Sequence, residues 1–158
     1  NQFLPEDESL RNKGESKHLS LFVRGNKLEK NCQKTPITCR LVDKFEAARN
    51  CRRGQVKFSL IGPGSHIWPH CGPTNCRLRA HLGLKIPPID TSDQEEKTAY
   101  IRVAEERPRK WIEGKFLIFD DSFEHEIWHN GAEMRLVLII DFWHPDLIES
   151  KRAKLTPL

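Results

Sequence analysis

From Gly54 onward the chain alternates short apolar and polar runs punctuated by Gly and Pro, a pattern that predicts an all-β sandwich or barrel. Over Gln55–Ile61, Val56, Phe58 and Leu60 fall on one face and Lys57, Ser59 and Ile61 on the other, because side chains along a strand alternate. Gly62-Pro63-Gly64 then reads as a turn. Arg77–Lys85 alternates more sharply, with Leu78, Ala80, Leu82 and Leu84 opposite Arg77, Arg79, His81 and Lys85. Tyr100–Ala104 reads as a further strand, and Lys115–Asp120 and Arg135–Trp143 are apolar enough to be central strands. Residues 1–54 are more polar and predict a loop-rich lead-in, with a strand near 19–23 and a helix near 42–49. Residues 86–100, with Pro87-Pro88 and Asp93-Gln94-Glu95-Glu96, read as a solvent loop, and 150–158 as a basic tail. The expected organisation is one domain, with 1–54 packing on and flanking an antiparallel barrel or jelly roll at 55–147 and a tail at 148–158. Such a barrel can hold a small ligand in its interior.

Composition narrows the partners. The 158 residues carry a net charge of +4, and no apolar run approaches the ~20 residues of a membrane span. No period recurs, so repeat architectures are excluded. Nucleic acid is not an expected partner, because the basic runs Arg49–Arg53 and Lys151–Lys154 are short and lack interleaved aromatics. The chain starts Asn-Gln-Phe without an initiator Met and reads as a segment of a longer protein. Of five cysteines, Cys32 and Cys39 enclose a six-residue Pro-containing loop in which a disulfide is sterically allowed. That suggests an oxidising compartment. Cys51, Cys71 and Cys76 have no obvious partners.

Candidate chemistry centres on histidines. His66-Ile-Trp-Pro-His70 has the spacing of a zinc-binding helix, but Pro69 before His70 disfavours a helix there. In an extended chain His70 could still project into a barrel mouth. Phe119-Asp-Asp-Ser-Phe-Glu-His125-Glu-Ile-Trp128 is a strand that ends in two acids and returns through His125. Taken alone, either histidine reads as a hydrogen-bonded structural residue. The face carrying Arg77, Arg79 and His81 turns the balance. Arginines facing a barrel interior need partners, because an unpaired buried charge is too costly to persist. A dicarboxylate ligand would supply them, and Arg135 raises the same question.

These residues also carry a resemblance. Gly64-Ser-His-Ile-Trp-Pro-His-Cys-Gly-Pro-Thr-Asn-Cys-Arg-Leu-Arg-Ala-His-Leu-Gly-Leu84, Leu117–Trp128 and Phe142–Leu147 resemble the core of the aspartyl/asparaginyl β-hydroxylase family. Phe3-Leu-Pro-Glu-Asp-Glu8 and Cys51-Arg-Arg-Gly-Gln55 extend the similarity over nearly the whole chain. The family is a branch of the Fe(II)- and 2-oxoglutarate-dependent oxygenases, which implies a double-stranded β-helix, a jelly-roll or cupin-like barrel. The resemblance implies His70 and His125 as iron ligands. It implies Arg135, helped by Ser59, on the distal carboxylate of 2-oxoglutarate, with Arg79 and His81 at its other end. A planar guanidinium suits a carboxylate because it offers two parallel hydrogen bonds.

The wider superfamily adds a carboxylate two residues after the first histidine. Here His70-Cys71-Gly72 supplies none, an absence this branch shares, with Asp120, Asp121 and Cys71 as poor substitutes. The implied reaction uses O2, releases succinate and CO2, and hydroxylates the β-carbon of Asp or Asn in EGF-like domains. Arg77 is the expected cation for an acidic target side chain, and Asp7, Glu8 and Arg11 are expected substrate contacts. The family also implies a preceding helical repeat domain, the lumen of the endoplasmic reticulum and a membrane anchor outside this segment. The loop at 88–99 has no functional account. The rivals are a non-catalytic metal- or ligand-binding β-barrel and a halogenase, in which halide takes the vacant ligand position.

Overall fold

The computed structural model describes residues 3–5, 11–87 and 98–158, with Asn12 described by its backbone alone. Among the described residues, twelve strands and four short helices follow one another along the chain. The first four strands are β1 (Leu4–Pro5), β2 (Arg11–Lys13), β3 (Ser16–Val23) and β4 (Asn26–Lys27), and the helices α1 (Glu29–Cys32), α2 (Pro36–Asp43) and α3 (Glu46–Arg49) come next. Then come β5 (Gln55–Ile61), β6 (Ser65–His70), β7 (Arg77–Lys85), β8 (Ala99–Val103), β9 (Arg109–Lys110), β10 (Phe116–Phe119), β11 (His125–His129), β12 (Arg135–Trp143) and α4 (Glu149–Arg152).

The strands form two antiparallel sheets. The larger has the order β1-β3-β5-β12-β7-β10 with β4 paired on β3, and the smaller runs β2-β6-β11-β8-β9. The sheets face one another across a core that takes Ile61, Val137, Ile139, Leu117 and Phe119 from the larger and Ala99, Ile101 and Ile127 from the smaller. The expected barrel is therefore a jelly-roll-like sandwich of two sheets. A second core lies between the outer face of the larger sheet and the helices. There Leu19, Leu21, Phe22, Val56 and Leu138 pack with Cys32, Cys39, Val42 and Ala48.

Several expectations change in detail. The lead-in is not peripheral, because β3 sits inside the larger sheet and pairs with β5 from Ser16↔Ile61 to Val23↔Gln55. The helix expected at 42–49 is two helices, the first opened by Pro36 at its N-terminus, where a missing N–H costs nothing. β12 is central as expected, but β10 is an edge strand, with Phe116 and Ile118 exposed. The basic tail begins with the single turn of α4. Of the expected solvent loop, 88–97 lie outside the described residues. Cys32 and Cys39 form a disulfide that ties α1 to α2. It closes a short loop and contributes about 2–3 kcal/mol by restricting the unfolded chain.

Register sets the site. β12 lies between β5 and β7, placing Ile139 opposite His81, Asp141 opposite Arg79 and Val137 opposite Ser59. The alternating face that carries Lys57, Ser59 and Ile61 on β5, Arg77, Arg79 and His81 on β7, and Arg135 and Ile139 on β12 turns inward. These residues line one cavity of about 430 Å³ between the sheets, within the usual size of a small-molecule site.

Candidate active site

One end of the cavity is framed by two imidazoles. His70 ends β6 and His125 begins β11, and the two residues are register partners. Their ring centroids lie 4.2 Å apart. Each ring is held by its own chain: Nδ1 of His70 lies 2.7 Å from the Trp68 carbonyl, and Nδ1 of His125 lies 3.0 Å from the Phe123 carbonyl. A carbonyl only accepts, so each Nδ1 carries the proton and each Nε2 keeps its lone pair, as in metal-ligating histidines oriented by a backbone oxygen. Burial, with the nearby His70 and Arg79 charges adding to it, pushes the His125 pKa down to about 4. The ring is therefore neutral at physiological pH, as a ligand must be.

This donor set fits a metal ion. Among the described residues no group of three or more His, Cys, Asp or Glu is arranged to hold one, so of these residues the two imidazole nitrogens are the ones that would hold an ion here. A structural zinc site normally closes with four protein ligands, and this arrangement leaves positions open. The position where the wider superfamily carries its carboxylate is sterically filled. A Cβ at Gly72 would lie 2.6 Å from Asp121 Cγ, and the Gly72 N–H donates to the Asp121 carbonyl at 2.6 Å.

Asp121 belongs to a buried four-residue ion cluster. Arg77 Nη2 lies 2.7 Å from Asp121 Oδ2 and its Nη1 3.0 Å from Asp141 Oδ2. Arg79 Nε lies 2.7 Å from Asp141 Oδ1 and its Nη1 3.1 Å from Asp121 Oδ2. Arg77 also donates to the Arg53 carbonyl, and Asp141 accepts from the Gln55 N–H at 3.1 Å. Both aspartates are fully buried. Burial works to raise the Asp121 pKa, but the Arg79 and Arg77 charges outweigh it and hold the carboxyl below its ordinary range.

The other end of the cavity is built around Arg135, which is 1% exposed. Its Nη2 donates to Ser59 Oγ at 3.3 Å, and its Cζ lies 4.4 Å from the centre of the Trp111 ring. His81 lies beside it on the cavity wall. The Trp111 indole N–H donates to His81 Nδ1 at 3.2 Å, and His81 packs edge-on to Phe119. Burial and the Arg135 and Arg79 charges push the His81 pKa well below its ordinary value.

The structure thus brings His70, His125, Ser59, Arg79, His81 and Arg135 to one cavity, with Arg77 and Arg11 also on its wall. The reasoning that a ligand must neutralise the β7 arginines needs correction, because Asp121 and Asp141 already do so. Arg77 in particular is a buried member of that cluster, which differs from the cation held ready for an acidic substrate that the sequence suggests. Arg11 sits on β2, opposite Ile67 of β6. β2 is brought close by Gly14 (φ 88°), where a Cβ would lie 2.6 Å from Ser65 Cα. Asp7 and Glu8 lie outside the described residues.

Comparison with known proteins decides the family. The sequence pattern described as Aspartyl/Asparaginyl beta-hydroxylase matches residues 1–145. The chain belongs to this family. It is 51% identical over 153 residues to the aspartyl/asparaginyl beta-hydroxylase of Mus musculus and 50% identical to that of Homo sapiens. Each alignment covers 97% of the chain and 19% of the relative, so the chain spans about a fifth of those proteins. It is also 36% identical over 139 residues to the human aspartate beta-hydroxylase domain-containing protein 2, covering 85% of the chain and 35% of that protein. Two solved structures from Thermotoga maritima share the fold. A cupin-like protein aligns with a TM-score of 0.54 at 11% identity, over 99% of this chain and 95% of its own. One described as a predicted oxalate decarboxylase aligns with a TM-score of 0.51 at 14% identity, over 90% and 95%.

Two features of this β-hydroxylase-family site escaped the sequence reading. Asp141 stands in the apolar run of β12, on the same alternating face as Arg135 and Val137. An acid on the inward face of a buried strand is a signal that an inward arginine must meet it. Trp111 follows the two-residue strand β9 and carries no periodic signal at all.

Proposed function

We propose that this chain is the oxygenase domain of an Fe(II)- and 2-oxoglutarate-dependent dioxygenase that hydroxylates the β-carbon of Asp or Asn residues in EGF-like domains. The observation that carries the reading is the pair of chain-held imidazoles, His70 and His125, at one end of a cavity whose far end holds the buried guanidinium of Arg135. Membership of the β-hydroxylase family supports the choice of Asp and Asn side chains as targets.

In this reading His70 and His125, whose Nε2 lone pairs are free to coordinate, would hold the ferrous ion. Arg135 and Ser59 take the distal carboxylate of 2-oxoglutarate, and Arg79 and His81 form the wall at its oxo-acid end. When bound, iron and cosubstrate supply the oxidising power, with O2 consumed and succinate and CO2 released. The protein positions the groups and keeps water away. The neutral rings of His125 and His81 serve this, since neither places a further cation in a cavity already lined by guanidinium groups. Arg11, on the strand beside His66 and Ile67, lies where a polypeptide could run, and Asp7 and Glu8 are proposed to extend that contact. The disulfide suits an oxidising compartment, in keeping with the lumen of the endoplasmic reticulum and an anchor elsewhere in the parent protein.

The test is anaerobic loading with Fe(II), then incubation with O2, 2-oxoglutarate and an EGF-like polypeptide. Succinate together with a peptide heavier by one oxygen is expected. Tight zinc binding with neither product would favour the non-catalytic barrel, and chlorinated peptide in chloride buffer the halogenase.

A further inference from the structure

Trp111 stands in none of the roles above, yet it touches both Arg135 and His81, which the reading above sets against the two ends of the cosubstrate. It is 3% exposed, and its ring lies under the Arg135 guanidinium at 4.4 Å. Its plane lies within 17° of the His81 ring, with centroids 5.8 Å apart. Its single polar atom donates to His81 Nδ1 at 3.2 Å. An indole N–H can only donate, so His81 Nδ1 must accept, and in a neutral imidazole the proton then sits on Nε2. His81 is 3% exposed and lines the cavity. Its Nε2 is buried and has no hydrogen-bond partner among the described residues. A buried N–H without a partner is costly, and it stands beside Arg135, a second donor-only group.

We propose that Trp111 is a positioning residue of the cosubstrate site: its N–H fixes His81 as the Nε2–H tautomer and its ring face sets the plane of Arg135, so that the two residues present their donors together to an acceptor-only oxo-dicarboxylate. The proposal rests on the functional reading above and deepens it. An indole suits both tasks, because its face attracts a guanidinium while its edge carries the donor. A phenylalanine would retain the face and lose the donor.

The experiment uses the full chain loaded anaerobically with Fe(II) for binding and turnover, and with Zn(II) as a diamagnetic stand-in for the ring NMR. Wild type, Trp111→Phe and Trp111→Leu are compared by the ¹⁵N pattern of the His81 ring, by the Kd for 2-oxoglutarate and by steady-state kinetics. Wild type should show a single Nε2–H tautomer. Trp111→Phe should show a mixture, a Kd and KM for 2-oxoglutarate raised about tenfold, and an unchanged kcat and metal affinity, tenfold being the usual effect of losing one hydrogen bond. Trp111→Leu, which also removes the face under Arg135, should weaken cosubstrate binding further. If it fails to fold, Trp111→Phe alone decides. A wild-type His81 protonated on Nδ1, or a Trp111→Phe protein equal to wild type in both ring pattern and Kd, would overturn the proposal. Wild type that keeps the Nε2–H tautomer but binds no 2-oxoglutarate would contradict the functional reading, and the proposal with it.

Discussion

Three arginines line the same cavity and are held in two different ways. Arg77 and Arg79 meet Asp121 and Asp141 at ion-pair distance. Arg135 donates to the Ser59 hydroxyl and lies on the Trp111 ring. A carboxylate cancels a guanidinium's charge, whereas the hydroxyl and indole contacts of Arg135 fix its orientation. The first arrangement builds a wall, and the second aims a guanidinium. Buried charge by itself therefore does not mark a binding group, and the chemistry of its neighbours separates the two roles.

Breaking the wall should have the largest effect. Asp141→Ala leaves two largely buried guanidinium groups short of a carboxylate and should cost about 3–5 kcal/mol, read as a lower midpoint in urea unfolding. A loss below 1 kcal/mol would mean that the cluster is not the structural half of the contrast. Breaking the aimed guanidinium should act on binding instead. Arg135→Ala removes one partner of a buried charged contact, an effect of about 2–5 kcal/mol. The Kd for 2-oxoglutarate measured by calorimetry should therefore rise at least about 30-fold with metal affinity unchanged. Equal losses for metal and cosubstrate would erase the distinction.

Acid should give a smaller but diagnostic effect at the imidazole end. His125 is buried neutral, with its pKa pushed from the ordinary 6.5 down to about 4. Between those pH values the unfolded chain binds the proton and the folded one does not. Stability present above pH 6.5 is therefore lost as the pH falls toward 4, by about 3 kcal/mol. The His81 shift has the same sign. Urea unfolding of chelator-treated protein across this range should show the slope, and His125→Asn should flatten it. A flat profile for the unsubstituted chain would place His125 in water.

Much of this arrangement was legible in the chain. The alternation in Gln55–Ile61 and Arg77–Lys85 puts the inward faces on the correct side, because a period of two with one charged face leaves a single way to assign them. Phe116-Leu-Ile-Phe119 was misread as central because it is apolar on both faces, and apolarity cannot tell an edge strand from an inner one. The break between α2 and α3 was invisible to helical periodicity, although Pro36 marks the start of the first. The ion-pair partners of Arg77 were not legible because they come from β12 and from the loop after β10, 64 and 44 positions away, where no local pattern reaches. Trp111 was missed for the same reason, since its role depends on what the fold brings beneath Arg135.

The central claim is that His70 and His125 hold one ferrous ion between them. X-ray absorption on the anaerobically Fe(II)-loaded chain counts imidazoles directly. Two per iron are expected in the unsubstituted protein, falling to one in His70→Ala and in His125→Ala. An iron with no imidazole scattering, or one whose spectrum is unchanged by both substitutions, would contradict the account.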